Sequence, residues 1–126
     1  MKYAFLVAAL AAGLAGSAAA ADLGVPAAGK TQFEMRCAMC HASAPGVKSP
    51  MAPNLFGVSA RVSGVGEFTN YSPALKKAAV KWNAASLDQF LTAPNKMVPG
   101  TRMVISTPDA KKRADLVAYL VSLKKK

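Results

Sequence analysis

An all-α domain with long irregular joins is predicted by three observations. Apolar residues recur at helical spacing, most clearly at Leu116, Val117, Leu120, Val121 and Leu123, which is the period of a helix with one buried face. Ser72–Pro73 and Thr107–Pro108 each set a capping hydroxyl before a proline, the combination that opens a helix. No run alternates apolar and polar residues as a half-buried strand does, and no internal repeat is present. The 126 residues suffice for one domain. With 52% apolar residues the chain is not disordered, although its formal net charge is +10.

The apolar content is inflated at one end. Residues 1–21 begin with Lys2, continue in an apolar run from Ala4 and close on small residues from Ser17 to Ala21. That layout predicts a secretory signal peptide, cut after Ala20 or Ala21, and leaves residues 22–126 as the folded domain. An uncleaved anchor is the rival, but the run is rich in Ala and Gly and charged Asp22 follows it.

Past the signal, Ala27 to Cys40 lacks proline and spaces Phe33, Arg36, Cys37 and Cys40 as a helix would. Residues 42–70 carry Pro45, Pro50, Pro53, Gly46, Gly57, Gly64 and Gly66, a long loop that needs something to pack around. A short helix is expected from Pro73 to Ala79. Another follows Ser86–Leu87–Asp88–Gln89, read as a capping box, with Leu87, Phe90 and Leu91 on one face and Pro94 as its stop. Asn95 to Ser106 reads as irregular, and the last helix follows Thr107–Pro108 with Lys124 to Lys126 at its end, where cations complement the helix dipole.

Chemistry concentrates at Cys37–Ala38–Met39–Cys40–His41, a C-x-x-C-H segment of the kind that attaches haem c. Two thiols on one turn can form thioethers to the same porphyrin, and the next residue can bring an imidazole under the iron. A redox disulfide would need a surrounding β-α-β pattern, which is missing. A zinc site would need more ligands than the two cysteines and single histidine of this chain. A chance pair of buried thiols would be exposed to oxidation after export. Covalent haem also supplies the core that the long loop requires. For a second axial ligand, Met1 leaves with the signal, and Met35 and Met39 flank the cysteines. Met51, Met97 and Met103 remain.

From about Gly29 to Leu123 the sequence resembles class I cytochrome c, the soluble bacterial and mitochondrial-like branch. Gly29 and Phe33 are similar to the family's first-helix pair, which packs on the last helix, here at Leu116 and Tyr119. Pro53–Asn54–Leu55–Phe56–Gly57 is similar to the loop whose proline carbonyl accepts a hydrogen bond from the haem-ligating histidine. Val98–Pro99–Gly100–Thr101–Arg102–Met103 is similar to the segment that ends in the ligating methionine. The resemblance implies the small cytochrome c fold, with about four to five helices and long loops around one covalent haem. It implies Cys37 and Cys40 as attachment points and His41 and Met103 as iron ligands. Arg61, Tyr71, Trp82 and Thr101 fall where the family surrounds the haem propionates. Arg61 could also be a solvated loop cation, and Trp82 a core filler. Phe90 stands where many relatives have a tyrosine, and Ile105 where mitochondrial members have an aromatic residue. Both differences lie on the methionine side.

Iron held by His and Met has no open position, so the expected activity is transfer of one electron rather than catalysis. Export, a net charge of +10 and basic residues beside the haem-bordering segments predict a periplasmic carrier. Its redox partners would present acidic docking surfaces, steered by Arg36, Lys48, Lys96 and Arg102. The alternative is a dedicated electron-accepting subunit of one periplasmic oxidoreductase. A haem-free binder of nucleic acid or acidic polymer lacks any recognised motif, and a haem enzyme would need an open iron.

Overall fold

The computed structural model describes residues 23–49 and 51–124. The segment read as a signal peptide, residues 1–21, lies outside the described residues. Five helices occur among the described residues: α1 (Pro26–Arg36), α2 (Pro73–Ala78), α3 (Ala84–Thr92), α4 (Pro94–Met97) and α5 (Ala110–Ser122). A 3-10 turn covers Val58–Ala60. One antiparallel bridge pairs Val62 with Lys81, and no strand forms among the described residues. The chain is all-α, as its periodicity requires.

The architecture turns on the crossing of α1 and α5. A side chain at Gly29 would place its Cβ 1.9 Å from the Asp115 carbonyl oxygen and 2.8 Å from Tyr119 Cβ. Only glycine allows the two helices to approach so closely. One turn later the rings of Phe33 and Tyr119 meet at 5.5 Å and 56°, a tilted aromatic pair. Phe33, Leu116 and Leu120 are buried together with Leu87 and Leu91 of α3, and Trp82, Leu55 and Met103 pack against this cluster. Each such side chain contributes about 1.5–3 kcal/mol of burial.

Several element boundaries differ from the sequence reading for local reasons. α1 ends at Arg36 rather than Cys40, because residues 37–40 form a tighter turn. α3 is capped by Asn83, not Ser86. Asn83 Oδ1 accepts the Ser86 N–H at 2.9 Å, and Ser86 Oγ accepts the Asn83 N–H at 2.9 Å. A reciprocal box thus exists three residues upstream of the expected one, with Ser86 as its second member. Pro94 does not simply stop α3: it opens the short helix α4, so residues 94–97 are helical where an irregular stretch was expected. α5 is capped by Asp109, whose Oδ1 accepts the Lys112 N–H at 2.8 Å, and not by Thr107, which is buried in the approach to the helix.

Ser72 caps α2 as expected, accepting the Leu75 N–H at 3.1 Å. That helix ends at Ala78, one residue early, because Ala79 turns left-handed at φ 46°. This conformation costs a non-glycine residue roughly 1–2 kcal/mol. It is held by Ser63, whose hydroxyl accepts the Val80 N–H and donates to the Leu75 carbonyl, both at 2.8 Å. Asp115, inside the apolar stripe of α5, is also buried. Its carboxylate accepts the Val25 N–H at 2.7 Å and pairs with Lys111 at 2.5 Å.

Candidate functional site

The turn after α1 builds the first wall of the site. Cys40 and His41 donate their N–H groups to the Cys37 carbonyl at 3.0 and 2.9 Å. This closes one tight turn that carries both thiols, and both cysteines are free. Burial pushes the Cys37 thiol above its ordinary range, against the pull of the neighbouring Arg36 charge. The turn therefore keeps the Cys37 thiol neutral as it faces the interior.

His41 Nδ1 lies 2.7 Å from the Pro53 carbonyl oxygen. Burial lowers the imidazole's pKa below its usual value, and the hydrogen bond to Pro53 opposes this only in part. The ring is thus neutral, with Nδ1–H donating to Pro53 and the Nε2 lone pair left to bind a metal. Pro53 is fixed in turn by its neighbour. Asn54 Nδ2 donates to the carbonyls of Ala44 and Val47 at 2.6 and 2.7 Å, and its Oδ1 accepts the Phe56 N–H at 2.8 Å. Asn54 was not singled out in the sequence. The signal was available, because an asparagine in a Pro- and Gly-rich stretch commonly bonds the backbone two residues on.

These walls enclose a cavity of about 330 Å³. Cys37, Cys40, His41, Pro53, Arg61, Tyr71, Trp82, Thr101 and Met103 all line it, although they come from six separate stretches of chain. Arg36 and Arg102 also reach its edge, whereas Lys48 and Lys96 do not line it. Lys48 and Lys96 are exposed. Both arginines are exposed too, but their guanidinium groups are engaged within the chain. Arg102 Nη1 donates to the carbonyl and to Oδ1 of Asn70, each at 2.9 Å. Arg36 donates to the Ser106 carbonyl at 3.0 Å and to Thr107 Oγ1 at 3.4 Å.

The cavity's other polar groups cluster around Arg61. Its Nη2 donates to the Asn54 carbonyl, while its buried Nε has no hydrogen-bond partner among the described residues. An orphaned donor of this kind is costly unless a ligand satisfies it. Its backbone carbonyl accepts the Trp82 N–H at 2.9 Å, which brings the Arg61 and Trp82 segments together. Burial raises the Tyr71 pKa, and the Arg61 charge opposes the rise. Tyr71 stands edge-on to Phe68 at 5.0 Å, and Trp82 edge-on to Phe90 at 5.2 Å. Thr101 is buried, and its Oγ1 accepts the Met103 N–H at 3.3 Å.

The donor set fits a haem c. Two free thiols share one turn, a neutral imidazole has its Nε2 uncommitted, and a thioether reaches the same apolar cavity. An unsatisfied guanidinium N–H lies where a carboxylate would be welcome.

Comparison with known proteins points the same way. The chain matches the family described as Cytochrome c over residues 26–124. It is 46% identical to a cytochrome c of Euglena viridis over 97 residues, covering 76% of this chain and 94% of that protein. It is 40% identical to a cytochrome c2 of Rhodopila globiformis over 102 residues, covering 80% and 95% respectively. A cytochrome c of Guizotia abyssinica is 43% identical over 107 residues, 82% of this chain and 95% of that protein. The chain therefore belongs to the cytochrome c family, and is a monohaem electron carrier with one covalent haem c rather than an enzyme.

Proposed function

We propose that this chain is an exported periplasmic carrier that passes single electrons between redox partners with acidic docking faces. Residues 1–21 direct export and are removed, and residues 22–126 form the cytochrome domain. Cys37 and Cys40 would hold the haem, and His41 and Met103 would ligate its iron. The observation that carries this reading is the 2.7 Å bond from His41 to the Pro53 carbonyl, in a cavity that Met103 also lines. When bound, the haem supplies a one-electron Fe(III)/Fe(II) couple whose potential a methionine ligand raises.

The chain's own residues set the conditions for that couple. Pro53 fixes the His41 ring and leaves Nε2 as its ligating atom. The apolar wall formed by Phe33, Leu87, Phe90 and Leu116 excludes water. Arg61, Tyr71, Trp82 and Thr101 supply donors for the propionates, with Arg61 Nε as the donor in greatest need of a partner. With His41 and Met103 both supplied by the protein, the iron would have no place left for a substrate. Lys48 and Lys96 steer acidic partners from the exposed surface, and Arg36 and Arg102 add their charges while remaining bonded within the chain.

A second reading, a dedicated electron-accepting subunit of one periplasmic oxidoreductase, draws support from the cavity rim. Met51, Val65, Val104 and Ile105 line the cavity yet remain exposed, Val104 at 68%. An apolar rim favours a lasting complex over a salt-sensitive encounter. Retention of one enzyme at high salt selects the subunit, and release selects the carrier.

The deciding experiment is the visible spectrum of the matured protein, followed by denaturing extraction. Haem that stays with the polypeptide, and a weak far-red band of the ferric form that disappears in Met103→Ala, are expected. Extractable haem, or a far-red band unchanged in Met103→Ala, would overturn the ligand assignment. Cell fractionation and the intact mass test export, which predicts a periplasmic protein lacking residues 1–20 or 1–21.

A further inference from the structure

The segment that follows Met103 is gripped by two arginines from different helices. Arg36, at the end of α1, donates to the Ser106 carbonyl at 3.0 Å and to Thr107 Oγ1 at 3.4 Å. Arg113, in the first turn of α5, donates from Nη1 to the carbonyls of Thr107 and Pro108 at 3.0 and 2.9 Å. Its Nε donates to Asp88 of α3 at 2.7 Å, which anchors the guanidinium from behind. The backbone adds a bond from the Thr107 N–H to the Leu91 carbonyl at 2.7 Å, and Thr107 is buried. Thus α1, α3 and α5 converge on residues 106–108, three residues beyond the proposed ligand. Arg113 does not line the cavity, so its contact with the cavity's surroundings runs through this segment.

We infer that Arg113, supported by Asp88 and assisted by Arg36, is a positioning residue for Met103. The inference rests on the proposed ligation by Met103. Methionine is a flexible, neutral ligand on a stretch without regular structure, so its hold on the iron depends on how tightly that stretch is tethered. Charge-assisted hydrogen bonds from a planar fork are the strongest tether available to backbone carbonyls. Loosening the tether raises the population in which the sixth position is open, and an added ligand then binds more tightly in proportion.

The test titrates the ferric holoprotein with imidazole, which occupies the iron only when Met103 leaves it. Loss of the far-red band is read against concentration. If wild type lacks that band, the ligation reading fails and this inference falls with it. With the band present, Arg113→Gln is expected to raise imidazole affinity by about tenfold. Arg113→Lys, which keeps the charge but not the fork, should fall between the two. Asp115→Asn is the control, because it removes the carboxylate charge that Lys111 pairs with on α5 and leaves residues 106–108 alone. It should lower the denaturation midpoint without changing imidazole affinity. The inference is overturned if Arg113→Gln stays within about twofold of wild type, well short of the factor expected from an opened loop. It is equally overturned if Asp115→Asn moves the affinity as far at equal loss of stability. Should Arg113→Gln fail to accumulate as holoprotein, Asp88→Asn and Arg36→Gln carry the same measurement, with smaller shifts in the same direction expected.

Discussion

On the His41 side of the cavity, the bonds that shape the wall join residues close together in the chain. His41 reaches Pro53 twelve residues away, Asn54 reaches Ala44 and Val47 ten and seven residues away, and Arg61 reaches Asn54 across seven. On the Met103 side, Arg113 lies only six and five residues from the carbonyls it holds, but the bonds that bring in the rest of the fold span far more of the chain. Arg36 bonds Ser106 across 70 residues, Arg102 bonds Asn70 across 32, and Arg113 is backed by Asp88 across 25. One wall is shaped chiefly by bonds within residues 37–61, and α5 and its cap bond to it through Tyr119 on Ser43 and Leu123 on Gly57. The other is a strap that holds only once α1, α3 and α5 have packed. Short-range bonds cost little loop entropy, whereas long-range ones require the rest of the fold to have met that cost already.

The comparison can be broken first at the crossing that both walls share. Phe33 is 2% exposed between α1 and α5, and Phe33→Ala should cost about 3–5 kcal/mol. A denaturant titration of the holoprotein checks this. A loss below about 1 kcal/mol, less than even a modest cavity costs, would mean that the crossing is not the common foundation.

A smaller effect sharpens the contrast between the walls. Asn54→Ala removes both bonds from Nδ2 and the one accepted from the Phe56 N–H, worth about 1–2 kcal/mol in total. The loosening should stay local. Hydrogen exchange should speed up at the Phe56 amide and leave the Thr107 amide, bonded to Leu91, unchanged. Equal acceleration at both amides would show that the two walls are not independent.

The smallest effect depends on pH. Hydrogen bonds from Lys111 and from the Val25 N–H hold the Asp115 carboxyl below its usual pKa. The folded state therefore releases this proton more readily than the unfolded chain, whose aspartates titrate near about 3.9. The stabilisation is present above that pH and is lost as pH falls through the lower, folded value. Acid titration of stability should show this limb in wild type and a shallower one in Asp115→Asn, with the two curves converging at low pH. Parallel curves would remove Asp115 from the account.

The legibility of the sequence follows the same division. Cys37, Cys40 and His41 stand out as candidates because thioether attachment and an adjacent iron ligand call for those residues at that spacing, and the turn at 37–40 needs no distant partner. Helix type was legible from the stripe Leu116–Leu123. Starts are less so: Ser86 and Thr107–Pro108 compete with Asn83 and Asp109 as caps, and only packing decides which side-chain oxygen accepts the free N–H groups. Asp115 was hidden within an apolar stripe because nothing local announces that Val25, ninety residues earlier, supplies its donor.

Period, capping chemistry and the C-x-x-C-H spacing are short-range properties, so the chain alone settles its helical class and the nature of its cofactor. Tertiary structure decides which surface cations stand clear to meet a partner and which are bonded within the chain. Arg36 and Lys48 look alike in a sequence, yet Arg36 is bonded to Ser106 and Thr107, whereas Lys48 stands on the exposed loop. The physical reason is that a guanidinium on the end of α1 finds backbone carbonyls only because α5 and the segment before it pack across that helix. Contacts between residues seventy apart do not exist until the fold creates them.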